Sequence, residues 1–429
     1  MKHEYDLIII GGGMVGASLA AALLPVAKAL NLSIAMIEAN PLPDGDLTAY
    51  QPSYDSRATA LSYGSRCLYE QIGVWQALST HVAPIHHIHV SDKGHFGATR
   101  LHAEEEGVSA LGYVVENHWL GRTLLNHLQQ HENQSHLTVI CPANVTQVSH
   151  SDQGKSQVTV ERVGDEPLTL TTELVVMADG GRSSLREQLG IGYQKTEYDQ
   201  HAVVAVISAD QPHQQIAYER FTDQGPVALL PLLDQEGYHR SGLVWTVPDD
   251  ELDATLAMSD EAFMAAVQKR FGYRGGRFIK VGPRYHYPLK RVLADEQVRS
   301  GLVVLGNAAH ALHPIAGQGY NLALRGVMDL AEHLIRAREA GLPLGDLAGL
   351  QRYYQKRVSD QQRTIGLSDK IMRLFSNNHP LLSVGRSIGL QMMDVCPSVK
   401  TVFARGAMGL DIPAPDLTLT PVKSTHTGA

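Results

Sequence analysis

Tyr5 to Glu38 reads YDLIIIGGGMVGASLAAALLPVAKALNLSIAMIE, and this stretch decides the fold. Tyr5 to Ile10 is short, apolar and isoleucine-rich, the pattern of a strand buried on both faces of a parallel sheet. Met14 to Leu24 is rich in Ala and Leu and predicts a helix; Ser33 to Ile37 predicts a second strand. Together they form a βαβ unit. The turn between strand and helix, Gly11-Gly-Gly13-Met-Val-Gly16, fits GxGxxG. Gly11 allows a tight turn, Gly13 leaves room for a pyrophosphate, and Gly16 lets helix and strand pack closely. The helix start offers free N–H groups and a positive dipole end to phosphates. Glu38 ends the second strand, where a carboxylate can accept hydrogen bonds from both ribose hydroxyls and repel a 2′-phosphate. In this strand-turn-helix context the motif is strong. By itself it does not separate FAD from NAD.

Composition sets the outer bounds. The chain has 429 residues, 44% of them hydrophobic and 19% charged, a soluble globular balance. A net charge of -8 argues against general nucleic-acid binding. No apolar run reaches the roughly 18 residues that a spanning helix needs. The apolar run at Leu7 to Ile10 lacks the length and cleavage site of a signal peptide. Cys67, Cys141 and Cys396 are too widely spaced for a zinc pattern or a disulfide framework. No metal site is expected, and a reducing, cytoplasmic setting fits best.

Further along, residues 1–193 read as the first part of a dinucleotide-binding domain, with part of 76–115 packing on the substrate side. Alternating segments at His201 to Ile207, Ile216 to Phe221, Val227 to Leu232 and Ser241 to Val247 predict an antiparallel sheet within 194–284. Residues 285–345 return to the first domain, with a buried strand at Leu302 to Leu305 and a long helix from Leu322 to Ala340 stopped by Gly341 and Pro343. Residues 346–411 read as mostly helical. The Pro- and Thr-rich stretch 412–429 reads as disordered.

Two more segments identify the ligand by resemblance. Asp179-Gly180-Gly181-Arg182-Ser183-Ser184-Leu185-Arg186 matches DGxxSxxR. Leu305-Gly-Asn-Ala-Ala-His-Ala-Leu-His-Pro-Ile-Ala-Gly-Gln-Gly-Tyr-Asn-Leu-Ala323 is similar to GDAAHxxxPxxGQGxN. With GxGxxG these are the signatures of the single-component flavoprotein aromatic hydroxylases, and the chain resembles that family from about residue 4 to 400. The implied fold is α/β: a Rossmann-type FAD-binding domain of the p-hydroxybenzoate hydroxylase kind, an inserted antiparallel-sheet substrate domain and a helical C-terminus. The implied cofactor is FAD, with NAD(P)H as electron donor and dioxygen as co-substrate.

The resemblance also carries site residues. Gly319, Tyr320 and Asn321 fall along the flavin's pyrimidine edge, and Gly306 and Asn307 reach the ribityl chain. Asp179 and Gly180 serve the FAD region. Pro314 shapes the loop, and Gly317-Gln318-Gly319 points backbone N–H groups at one spot before a helix, suited to charge on a reduced flavin. Arg57 falls near the flavin or pyrophosphate, Arg122 near the phosphates or ribityl, and Val145 also at the cofactor. His310 and His313 read as core histidines rather than acids or bases. Asn307 departs from the usual aspartate of this segment and bonds a hydroxyl neutrally, with less strength.

Within the family, GNAA followed by LHPIAGQG looks like the ubiquinone-biosynthesis hydroxylases that act on 2-polyprenyl-6-methoxyphenol. Tyr54-Asp-Ser-Arg57-Ala-Thr-Ala-Leu61 and Gly225-Pro-Val-Ala-Leu-Leu-Pro231-Leu232 recur across that group. The implied reaction yields a 1,4-benzoquinol through a flavin 4a-hydroperoxide. A greasy prenyl-phenol pocket is expected at Tyr218, Leu229 and Pro231, and Tyr218, Tyr320 or a water could polarise the phenol. No dedicated base has a sequence signature. Ile371 to Phe375, Leu381 to Met393 and Val399 to Met408 mix apolar residues with bases. They could touch a membrane periphery or a ubiquinone-biosynthesis complex, but a helical cap on the core is favoured. The alternatives are a sister hydroxylase with another ring position, another FAD oxidoreductase of this fold, and a low-activity flavin-binding scaffold.

Overall fold

Five apolar strands lie side by side and parallel in the order Leu302–Val304, Leu168–Met177, Glu4–Ile10, Ile34–Ile37, Leu137–Ile140. They come from a computed structural model that describes residues 2–42, 57–94, 97–150, 154–181, 183–222, 224–312, 317–375, 389 and 394–420. Successive side chains of a strand point to opposite faces. Leu7 and Ile9 therefore pack with Leu19, Leu23, Leu124 and Leu334, from the helices Met14–Ala27, Asn117–Gln130 and Gln318–Glu339. Ile8 and Ile10 join Val158, Val160 and Leu170 on the other face. Burial of both faces explains why these strands read as continuous apolar runs.

A second sheet stands over the carboxyl ends of the first. Its strands run His310–Ala311, Tyr285–Ala294, Tyr193–Ala209, His239–Pro248, Val227–Pro231, Ile216–Phe221, His87–Asp92, Ala98–His102, and Phe278–Val281 also pairs with Tyr193–Ala209. The sheet takes in His87–Asp92 and Ala98–His102, from the stretch 76–115 expected partly on the substrate side, by parallel pairing with Ile216–Phe221. It also extends past the expected 284, because the 17-residue strand Tyr193–Ala209 offers a long edge that Tyr285–Ala294 fills. One face packs Phe263, Val267 and Phe271 of the helix Asp260–Phe271 against Leu243 and Trp245. A small third sheet, Ala58–Ser62, Gly112–Glu116 and Val82–Ile85, joins the halves. Its Glu116 accepts from Arg240 of the second sheet at 2.7 Å.

Buried charge locks the helix Leu347–Phe375 to Gln318–Glu339. Arg357 is 1% exposed and pairs with Asp329 at 3.0 Å and Asp360 at 2.7 Å. Arg325 meets Asp360 at 2.9 and 3.1 Å. The helix Pro397–Met408 closes the space between the sheets. Its inner side sets Ala404 and Met408 in a core with Leu101 and Leu232, as a helical cap would. Val399 and Val402 stay exposed on its outer side. The stretch expected to be disordered from 412 is packed as far as 420. Leu417 is buried, and Arg336 donates to the Asp416 and Thr418 carbonyls at 3.2 and 2.8 Å. Composition forecasts the missing regular structure correctly, but side-chain caps on an irregular segment leave no periodic trace. Residues 421–429 and most of Leu381 to Met393 lie outside the described residues.

Candidate active site

The three sequence motifs meet at the carboxyl ends of adjacent parallel strands, where ligands of open α/β sheets bind. Ladder bonds carry this alignment to the loops: Gly11 N–H donates to Ile37, Ala178 to Ile10, and Leu305 to Met177, each at 2.8 Å. Glycine is required here for definite reasons. Gly11 has φ +105°, and a side chain on it would meet the Ala178 carbonyl at 2.5 Å. One on Gly16 would meet the Gly11 carbonyl at 1.9 Å. Gly13 caps the first helix in extended conformation with no side-chain hydrogen bond, so the first-turn N–H groups face the cavity without a side-chain acceptor. Buried Glu38 accepts from Gly12 N–H at 2.7 Å and Asn40 N–H at 2.9 Å, which holds its carboxylate at the rim of the cradle. Val145 lies two residues beyond Ala143, whose N–H donates to the Glu38 carbonyl, but its side chain packs into the core.

The DGxxSxxR segment acts as a brace. Asp179 accepts from Gly181 N–H at 3.0 Å and from Ser183 N–H at 3.2 Å. Arg186 donates to the Gly181 carbonyl at 2.6 Å and stacks over Tyr193, whose hydroxyl donates to the Ala308 carbonyl at 3.1 Å. One motif thereby positions another.

A cavity of about 1240 Å³ opens from this cradle toward the second sheet. A single small-molecule pocket is typically about 300–1,000 Å³, so this one has room for part of a dinucleotide and a second molecule. Gly13, Asp179, Gly180, Asn307 and Gly317 to Asn321 line one end. Arg57 lines it too, with its guanidinium 5.7 Å from the Tyr287 ring centre. Arg122 does not; its guanidinium sits 5.8 Å from the Trp119 ring centre. Pro314 and His313 lie outside the described residues. Gly317 takes φ +61° at the start of the helix Gln318–Glu339, again with no side-chain cap. A side chain on Gly319 would meet none of the described residues within 4 Å, and Gly319 lines the cavity. Gly306, at φ +60°, lets its loop approach Val15. Uncapped helix starts, glycine-bordered space and a carboxylate at the second strand fit FAD at this site. Gly13, Glu38 and Asp179 would hold its ADP side, and Asn307 and Gly319 its flavin side.

Some expected residues act differently. Asn321 is 1% exposed, donates to the Ala60 and Gly317 carbonyls at 2.9 and 2.8 Å, and accepts from Ser62 N–H and the Ser65 hydroxyl at 2.8 and 2.7 Å. All four of its amide positions are filled, so the side chain pins the loop and only its backbone can reach a ligand. The Tyr320 hydroxyl is held by Tyr69, with Ser18 at 3.3 Å, and burial pushes its pKa up to about 12. The hydroxyl is thus engaged by these two side chains. Tyr218 lines the cavity as expected, but its ring packs on Phe271 and its hydroxyl points to the Arg274 carbonyl at 3.4 Å. Leu229 belongs to the same core, and the alternation puts Pro231 on that side too. Their strand does wall the cavity, but through Ala228 and Leu230. Val-Ala-Leu-Leu-Pro is apolar throughout, so hydrophobicity alone cannot assign its faces. His310 is a buried core residue, held neutral as burial and Arg357 push its pKa down to about 4.

A nucleotide cradle that opens into an apolar chamber walled by a second sheet has the build of a flavoenzyme. The comparisons agree. The chain belongs to the FAD binding domain family, whose model matches residues 4–365, and it is an FAD-binding monooxygenase. It is 35% identical over 405 residues to ubiquinone hydroxylase UbiL of Rhodospirillum rubrum, covering 94% of this chain and 89% of that one. It is 30% identical to 3-demethoxyubiquinol 3-hydroxylase of Escherichia coli, covering 94% and 98%. In fold it is similar to p-nitrophenol 4-monooxygenase PnpA of Pseudomonas putida, with a TM-score of 0.74, 15% identity and 94% and 97% coverage.

Asn307 lines the cavity at the flavin end. A carboxylate there would make a charge-assisted bond, about twice as strong as a neutral one. Asn307→Asp is therefore expected to hold FAD as tightly or up to about fivefold tighter, since a bond to a charged group adds about 1 kcal/mol. Titration of flavin fluorescence checks this, and a tenfold weakening would show that Asn307 acts as a donor.

Proposed function

We propose that this enzyme hydroxylates a prenylated phenol of ubiquinone biosynthesis, inserting oxygen para to the phenol of a 2-polyprenyl-6-methoxyphenol to give a 1,4-benzoquinol. The single observation that carries the reading is the shape of the cavity: a cradle for FAD at one end and an aliphatic wall of Ile88, Val90, Leu101, Val204, Val206 and Leu230 at the other. When bound and reduced by NAD(P)H, FAD activates dioxygen for transfer of one oxygen atom to the ring. The protein does the rest. Aliphatic walls accept the prenyl chain and exclude water from the reacting centre. The helix start at Gly317, which has no side-chain cap, would offer its N–H groups to negative charge on the reduced cofactor. The Arg240–Glu116 pair ties the substrate sheet to the small sheet and so fixes the chamber's width.

Two substituents flanking the phenol oxygen leave para as the open activated carbon. A second position is favoured by one specific observation, the similarity to an enzyme named 3-demethoxyubiquinol 3-hydroxylase. Incubation of holoenzyme with NADPH, dioxygen and each candidate phenol, followed by NMR of the product, separates the two. A new hydroxyl at the para carbon is expected. Oxygen at carbon 3 alone would replace the para assignment with the second reading.

A further inference from the structure

Glu219 stands on the chamber face of the strand Ile216–Phe221. Register puts it there: it is paired with Ala228 on one side and Val90 on the other, and both also line the chamber. Next to Ala228 comes Val244. The carboxyl is thus set in an aliphatic wall, and no hydrogen bond or ion pair holds it among the described residues. A lone carboxylate in such a place is costly unless something else meets it. The charged groups nearby are accounted for. Arg220 and Tyr218 alternate to the opposite face, and so do His89 and Arg100 of the neighbouring strands, with Arg274 bonded to His89 there. On Glu219's own face the next ionisable residue is Asp92, paired with Phe221 one step along. Arg240 is engaged by Glu116, and Tyr285 and Tyr287 lie beyond Val244 on the more distant strand Tyr285–Ala294.

We propose that Glu219 is the general base of the hydroxylation, a catalytic residue that receives the substrate's phenol proton. The inference rests on the phenol-hydroxylase reading above. As the ring carbon attacks oxygen, the phenol O–H bond breaks. Its proton passes to a Glu219 carboxylate oxygen, and its electron pair becomes the carbonyl of a ring dienone. The transferred oxygen, with its hydrogen, comes from dioxygen activated by reduced FAD, as the monooxygenase activity supplies; its O–O bond breaks as the C–O bond forms, and the other oxygen takes that bond's electron pair and leaves as water, with the proton that the ring carbon gives up and one from the reduced cofactor. The hydrogen on the newly oxygenated carbon then leaves as a proton, the proton on Glu219 returns to the original oxygen, and the ring regains aromaticity with Glu219 reset. Burial supports this role, because it pushes the Glu219 carboxyl up to about 7, near the working range of a base.

The test uses holoenzyme and 2-methoxy-6-prenylphenol, with the methyl ether of that phenol as a probe that has no proton to give. In the oxidised enzyme, phenol affinity should rise as pH increases through about 7, where the carboxylate becomes an acceptor, while ether affinity stays level. Turnover should rise through the same pH. Glu219→Gln should keep its flavin, lose the pH dependence of phenol binding and reduce kcat by about 10²-fold. Glu219→Asp should recover the pH-dependent binding. If wild-type phenol and ether affinities share one pH profile, the proposal fails, whatever the variants do. It fails equally if the Gln variant turns over within about twofold of wild type. If the wild-type enzyme forms no hydroxylated product at all, the underlying functional reading is what has failed.

Discussion

Gly319→Val should yield a folded protein that no longer holds FAD. Among the described residues nothing lies within 4 Å of the position a side chain would take at Gly319, so the variant has no clash with them to relieve. The added volume goes into the cavity, at the end lined by Asn307 and Gly317. Overpacking a filled site costs about 1–3 kcal/mol, which corresponds to about 5- to 150-fold in FAD affinity. The contrast with Gly16 sharpens the expectation. A side chain there meets the Gly11 carbonyl at 1.9 Å, so Gly16→Val should disturb the fold itself. Circular dichroism melting and bound-flavin absorbance, measured on both variants, separate the two effects. A fully yellow Gly319→Val protein would place the flavin elsewhere.

The other large effect is expected at Arg357. Its guanidinium is fully buried between Asp329 and Asp360 and also donates to the Leu322 carbonyl at 3.3 Å. Arg357→Met leaves two buried carboxylates short of a partner, although Lys356 still meets Asp329 at 2.8 Å and Arg325 still meets Asp360. Breaking a buried pair from one side typically costs about 3–5 kcal/mol. Denaturant unfolding should show a loss at the lower end of that range, because the remaining cations compensate in part. A loss below about 1 kcal/mol would contradict this reading. Burial opposes ionisation of Asp360, but Arg325 and Arg357 hold its carboxyl below the usual carboxylate range. That contribution is present above the ordinary carboxylate pKa and fades as pH falls through the lowered value.

What was legible in the sequence follows from where chemistry constrains single residues. Gly11, Gly16, Gly306 and Gly317 are demanded by positive φ or close approach, and Glu38 and Asp179 end buried strands, so a linear pattern records them. The FAD cradle could be read from such positions. The chamber could not. Its wall depends on which face of an all-apolar strand turns inward, so Ala228 and Leu230 could not be told from Leu229 and Pro231. Glu219 was hidden for the related reason that a lone acid in Ile-Ala-Tyr-Glu-Arg-Phe reads as the solvent side of an edge strand. Asn321 carries a motif letter and Tyr320 fills the motif's variable position, but their side chains brace the loop. The Arg325–Asp360–Arg357 lock joins residues up to 35 apart and has no local signature.

The most direct test of the account is a single turnover of reduced holoenzyme with 2-methoxy-6-prenylphenol under dioxygen labelled with oxygen-18. The account predicts a hydroxylated product carrying one labelled oxygen, seen by mass spectrometry, and no product without dioxygen. Product bearing oxygen only from water, or equal turnover under anaerobic conditions, would contradict it.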